Sequence, residues 1–322
     1  MTTIHVHALE NEAYAVEIAS ALLREGMVVA IPTETVYGLA AIITNDDAIR
    51  RIFLAKGRPS DNPLIVHVAT MADVASIAMV SALAQRLMDA FFPGALTLVL
   101  PKLSHVSDLV TAGLNTVAVR MPDLALTRAI IAAAGAPVAA PSANRSGRPS
   151  PTMAEHVIDD LDGAIAAVID AGSCRDGLES TVVRIVDEQL FLLRPGNVRR
   201  DDIERAVGVR VRDVPATADL RHSPGTRYRH YAPAAQVVLV RSMEEAARMR
   251  DASHDRVLLL APSDLAIGIP WRPLSSASLY AELRRADTLH VKKIIVHCDE
   301  QVQANEALMN RLQKAAEPST EN

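Results

Sequence analysis

Short apolar runs of small and β-branched residues recur along this chain, and between them apolar residues return at helical spacing. Met27–Ile31, Leu64–Val68, Ala95–Leu100, Thr116–Arg120, Pro137–Ala140, Ala164–Asp170 and Thr181–Val186 read as strands, and Gln189–Leu193 can pair with the last as a hairpin. Residues 11–25 read as a helix stopped by Gly26, and a second helix to about Ala55 is capped by Asn45 or Asp46. Residues 72–77 and 81–90, Leu124–Ala134, a segment starting near Thr152, and Asp201–Val207 complete the helical stretches. Strands alternating with helices define an α/β fold. Aromatic residues make up only 3% of the chain against 49% hydrophobic, so Ala, Val, Ile and Leu must fill the core.

A length of 322 residues suggests two domains. Residues 208–235 are polar, rich in Pro, Gly and Arg, and lack periodicity, which makes them a linker between a domain over 1–207 and one over 236–322. In the latter, strands at Val237–Val240, Val257–Leu260 and Lys293–Val296 alternate with helices at Met243–Arg250, Leu279–Ala286 and Ala304–Ala315. That rhythm predicts a small Rossmann-like, three-layer parallel domain. It has no glycine-rich phosphate fingerprint, so no nucleotide site is assigned to it. A net charge of −5 argues against broad nucleic-acid binding. Cys174 and Cys298 offer neither a disulfide framework nor a metal site. Residues 1–10 lack an apolar signal core and no run reaches a membrane span, so the expected location is cytoplasmic, with no membrane partner.

The chemistry concentrates in loops. Pro141–Pro151 carries three prolines, three serines, Asn144, Arg145 and Arg148, with no acid, on a backbone too constrained for helix or central strand. Thr33–Leu39 follows the first strand with hydroxyls and a carboxylate. Lys56–Leu64 sets Lys56, Arg58 and Asn62 between a helix and a strand, and neither cation is expected to be buried. Glu179–Thr181 opens a strand, and Arg194–Asn197 ends one. Each has a plain structural use: a cation beside a proline is often solvated, His67 can be a satisfied core histidine, and Arg120 can pair with a nearby acid. Several cationic, hydroxyl-rich loops at strand ends also describe a site for an anionic substrate.

Lys56-Gly57-Arg58-Pro59 with Asn62-Pro63-Leu64, Phe92–Thr97, Pro141–Pro151 and Glu179–Thr181 resemble the YrdC-like family in order and spacing. Ser223–Pro233 is similar to the linker of its two-domain members, which are threonylcarbamoyl-AMP synthases. The resemblance implies a twisted mixed sheet with a concave ligand site in the first domain. It also implies a nucleotidyltransferase that converts L-threonine, bicarbonate and ATP, with Mg2+, to threonylcarbamoyl-adenylate and pyrophosphate. A tRNA threonylcarbamoyl-transfer machinery is the downstream partner. By position, Thr35, His67, Arg120, Ala140 and Ser180 would bind threonine. Lys56, Arg58, Asn62, Thr116, Ser142, Ser150 and Arg194 would bind ATP, with Lys56 and Arg58 catalytic and His230 and Tyr231 closing as a lid. Ala40 stands where the family usually has glycine. The competing reading is an RNA-binding module for tRNA or double-stranded RNA, whose basic face would use the same cations.

Overall fold

The computed structural model describes residues 2–214, 231–253, 256–262 and 271–317. Cα packing divides the chain into two compact units, Met1–Ser146 with Pro151–Arg227, and Gly147–Ser150 with Tyr228–Asn322. Among the described residues, no helix is long and apolar enough to cross a membrane.

The first unit is built on one mixed sheet. Its described strands are β1 (Ile4–His7), β2 (Val29–Ile31), β3 (Gly38–Ile42), β4 (Ile65–His67), β5 (Leu96–Pro101), β6 (Thr116–Arg120), β7 (Val138–Ala139), β8 (Ala167–Asp170), β9 (Thr181–Val186), β10 (Gln189–Arg194) and β11 (Val211–Asp213). Across the sheet they run β1-β8-β2-β3-β7-β4-β6-β5-β9-β10-β11. Alternate residues of one strand face opposite sides. Thus Ala30, Leu39 and Val66 join one core cluster while Val29, Ala40 and Val138 join another.

Local chemistry explains the helix ends. Asn45, not Asp46, caps the helix Asp46–Lys56, accepting from the Ala48 N–H at 3.0 Å, and Gly57 closes it at φ +59°. That left-handed stop leaves Lys56 in the last turn. The Gln189–Arg194 hairpin with β9 forms as the alternation predicts. Strands β1, β3 and β11 have no strong sequence signal. β3 is Gly-Leu-Ala-Ala-Ile, poor in β-formers, and its ladder to β2 and burial on both faces hold it extended. Ala40, the departure from the usual family glycine, lies in that ladder opposite Val29.

In the second unit, β12 (Gln236–Val240), β13 (Val257–Ala261), β14 (Arg272–Pro273) and β15 (Lys293–His297) form a parallel sheet ordered β12-β15-β13-β14. Val240, Ala246, Leu259 and Ile295 centre its core. The inserted residues 147–150 are tied in by their carbonyls: Gly147 O accepts from Ala232 N–H at 3.0 Å, and Pro149 O from Arg284 Nη2 at 2.6 Å. Tyr231, at φ +67°, stacks on Tyr280 at 5.3 Å, with the Arg311 guanidinium 5.2 Å over its ring.

Candidate functional site

One face of the first unit's sheet carries most of the residues singled out in the sequence. β4 and β6 are parallel with His67 beside Arg120 and Ile65 beside Ala118. β5 runs antiparallel to β6 and parallel to β9, so the C-terminal ends of β4 and β6 meet the starts of β5 and β9 at one sheet edge. Ile65, Val99, Ala118 and Val182 form a small apolar patch on this face. Thr116 and Arg120 flank Ala118 two residues to either side and share its face.

At the Arg120 end, the guanidinium is 4% exposed. Its Nη1 donates to Thr35 Oγ1 at 2.8 Å and its Nε to Gly94 O at 3.1 Å. Nη2 lies 2.6 Å from Glu34 Oε1 in a buried ion pair. Burial opposes ionisation of Glu34, but the Arg120 charge and the Asp123 backbone outweigh it and hold its carboxyl below the usual range. Glu34 is therefore an anion beside a buried cation. His67 sits next to them; burial first, and then the Arg120 charge, lower its pKa to about 3, so it is neutral at physiological pH. Its Nδ1 lies 3.4 Å from Ile65 O. Ser180 Oγ and Thr97 Oγ1 are 2.7 Å apart. Arg194, 5% exposed, grips Ser180 through Nε and Nη2 to its carbonyl (3.1 and 2.9 Å) and Nη2 to its hydroxyl (3.2 Å).

The other end gathers around the approach to β4. Lys56 is 3% exposed, against the expectation from its proline-bounded loop. Its ammonium reaches back from the helix end to the carbonyls of Ser142 and Asn144, the latter at 2.7 Å. Ser146 N–H in turn donates to Lys56 O at 2.9 Å. The lysine thus latches the 142–146 loop as well as adding charge. Arg58 is half-buried and donates from Nη2 to the carbonyls of Asn62 and Pro63 at 3.3 and 3.2 Å. Asn62 Oδ1 is buried with no hydrogen-bond donor among the described residues. Ser142 Oγ donates to Asn144 Oδ1 at 2.5 Å, and Ala140 N–H donates to Ile65 O at 2.9 Å. Thr116 stands at the start of β6, four residues and about 13 Å along the strand from Arg120.

Arg145 is exposed but braces the chain, its Nε donating to Asp160 O at 2.8 Å. Ser150 falls in the second unit with Gly147–Pro149, as does Tyr231, while His230 lies outside the described residues. Glu34, Thr97 and Asn144 were not assigned roles from sequence. Glu34 had a signal, since it sits between two threonines and a pairing acid was one of the two uses open to Arg120. Burial pushes the Cys174 thiol up to about 12, so it stays protonated near neutrality. The burial of Lys56, Arg120 and Arg194 also removes them from any groove tracking a nucleic-acid backbone, which needs exposed cations.

A buried, carboxylate-poised arginine and a lysine-latched loop at two ends of one sheet face define a protein that binds small polar ligands. Residues 21–196 match the Sua5/YciO/YrdC family, described as telomere recombination, and residues 198–317 match the family described as threonylcarbamoyl-AMP synthase, C-terminal domain. The chain belongs to the Sua5/YrdC family, in its two-domain form. It is 44% identical to a threonylcarbamoyl-AMP synthase of Bacillus subtilis over 92% of both chains. It is 39% identical to one of Pyrococcus abyssi over 98% of both. The structure of the Pyrococcus abyssi Sua5 protein complexed with L-threonine superposes with a TM-score of 0.89, at 39% identity over 98% of each chain.

Proposed function

We propose that the chain is a threonylcarbamoyl-AMP synthase, making threonylcarbamoyl-adenylate and pyrophosphate from L-threonine, bicarbonate and ATP. The observation that carries this reading is Arg120: a buried guanidinium held in place by Thr35, Gly94 and the Glu34 carboxylate at one end of the sheet face. A guanidinium ordered in this way suits an amino-acid carboxylate, which it can grip through two parallel bonds. The shared name of full-length relatives and the threonine complex of one of them support the choice of amino acid.

In this reading Thr35, His67, Arg120, Ala140 and Ser180 hold threonine. The threonine amine adds to carbon dioxide with loss of a proton, or to bicarbonate with loss of water, and an oxygen of the resulting carbamate attacks the α-phosphorus of ATP as pyrophosphate leaves. Charge grows on phosphate oxygens, so catalysis is positioning and cationic stabilisation by Lys56, Arg58 and Arg194. Neutral His67 keeps the threonine end from carrying a further charge. ATP enters as its magnesium complex, the ion carried by phosphates and water; the buried acid Glu34 is committed to Arg120. Asn62, Thr116 and Ser142 contact the nucleotide beyond the apolar patch, with Ser150 assigned to the same ligand by position. The product is a mixed anhydride that water destroys, so a tRNA-modifying transfer system in the cytoplasm consumes it. The test is pyrophosphate release from ATP, with and without L-threonine and bicarbonate. Release that depends on both supports the reading, and release indifferent to either one ends it.

A further inference from the structure

Away from that face, β1 and β8 bring two imidazoles and a carboxylate together at the sheet's edge. We propose that His5, His7 and Asp170 form a binding site for a divalent transition-metal ion of the zinc, nickel or cobalt class.

The placement follows from the strands. His5 and His7 are two residues apart on β1 and so face the same side, with ring centroids 4.3 Å apart. The parallel register sets His7 beside Asp170 on β8. Asp170 Oδ2 lies 3.1 Å from His5 Nε2 and 3.6 Å from His7 Nδ1. One ligand atom from each of the three residues lies within 4.8 Å of the others. A tetrahedral ion with bonds of about 2.0–2.1 Å holds its ligands about 3.3 Å apart, close to the two edges that run from Asp170 to the imidazoles.

The carboxylate is also oriented. Asp170 Oδ1 accepts the Gly172 N–H at 2.9 Å and lies 3.5 Å from the Tyr37 hydroxyl, which leaves Oδ2 turned toward the imidazoles. Such outer contacts fix a metal-binding carboxylate in place. Two imidazoles with one carboxylate favour the nitrogen-binding transition metals over magnesium or calcium, so the ion carried by ATP does not compete here. The exposed side chains leave a fourth position for water, and nothing places this ion near the nucleotide. Its role is to fasten β1, which among the described residues pairs with β8 alone, to the sheet.

The experiment is a titration of the full chain with Co2+ alone, followed by visible absorption and by displacement with Zn2+. One equivalent should bind with the intense bands of a four-coordinate site. Because outer contacts alone are worth about 10–100-fold in affinity, His5→Ala or His7→Ala should raise the half-saturating Co2+ concentration by more than about tenfold. Zn2+ should raise the unfolding temperature of the natural protein and not of His7→Ala, while both release pyrophosphate equally in EDTA-treated buffer with Mg2+ restored. Binding that is unchanged in both variants, or no Co2+ binding to the natural protein below millimolar, overturns the proposal and leaves only a hydrogen-bonded surface cluster.

Discussion

Removing Arg120 while keeping Glu34 should be far more damaging than removing both. Arg120→Met strips a carboxylate that is 2% exposed of its cation. Breaking a buried ion pair from one side costs about 3–5 kcal/mol, because the surviving charge stays in low dielectric. Glu34→Leu/Arg120→Met replaces the pair by apolar volume, which is near neutral in comparable cases. The hydroxyl of Thr35 and the carbonyl of Gly94 still lose a donor, worth about 1 kcal/mol each. The double variant should therefore recover at least about 1–2 kcal/mol over the single one. Differential scanning calorimetry of the full chain reads this directly. At about 2–4 °C per kcal/mol for a unit of this size, Arg120→Met should melt roughly 6–20 °C lower, and the double variant should regain several degrees. L-Threonine should raise the transition of the natural protein and leave both variants unmoved. A double variant as unstable as Arg120→Met, with coupling below about 0.5 kcal/mol, would refute the buried pair as the centre of this end of the site.

Other outcomes follow from the same geometry. His67 has a folded pKa of about 3 against an ordinary 6.5, so the unfolded chain takes up its proton first. Its part of the stability is whole above pH 6.5 and drains away as pH falls toward 3, and His67→Gln should flatten that decline in a pH series of melting temperatures. Glu34 acts lower, its contribution being whole above pH 4.5 and lost as pH drops through its depressed folded value. A Cβ on Gly196 would come within 2.3 Å of Thr181 N and 2.5 Å of Ser180 C, so Gly196→Ala should displace Ser180 and raise the threonine KM, measured by pyrophosphate release. Arg58→Ala should lose turnover while far-UV circular dichroism shows the fold kept, since the guanidinium is half-buried and not part of the core. Lys56→Met should lose both, because it also releases the 142–146 loop.

The alternation of strands and helices was legible because the longer apolar runs keep their period: Thr116–Arg120 and the Thr181–Arg194 hairpin fall where the pattern put them. β3 was not, since Gly-Leu-Ala-Ala-Ile has little intrinsic preference and is held extended by neighbours far away in sequence. Nor was β1, an Ile-His-Val-His strand with one buried residue. The site divides the same way. Which loops carry polar groups could be read from sequence, but which cations go inside could not. A lysine beside a glycine and a proline looks solvated until a loop eighty-odd residues later supplies the carbonyls that bury it. Thr116 and Arg120, which the resemblance assigns to different ligands, lie on one strand, and its rise sets them at the two ends of the face.

Residues 147–150 also bear on how the protein can be taken apart. A fragment beginning after the first unit and running to the C-terminus would lack two carbonyls, those of Gly147 and Pro149, on which Ala232 and Arg284 hydrogen-bond. Arg284 is a buried cation, so losing the Pro149 carbonyl is not a surface adjustment. The second unit is discontinuous in the gene. Dissection by a single cut yields an incomplete module, whereas a fragment with a short peptide spanning 147–150 supplied in trans would restore its missing acceptors.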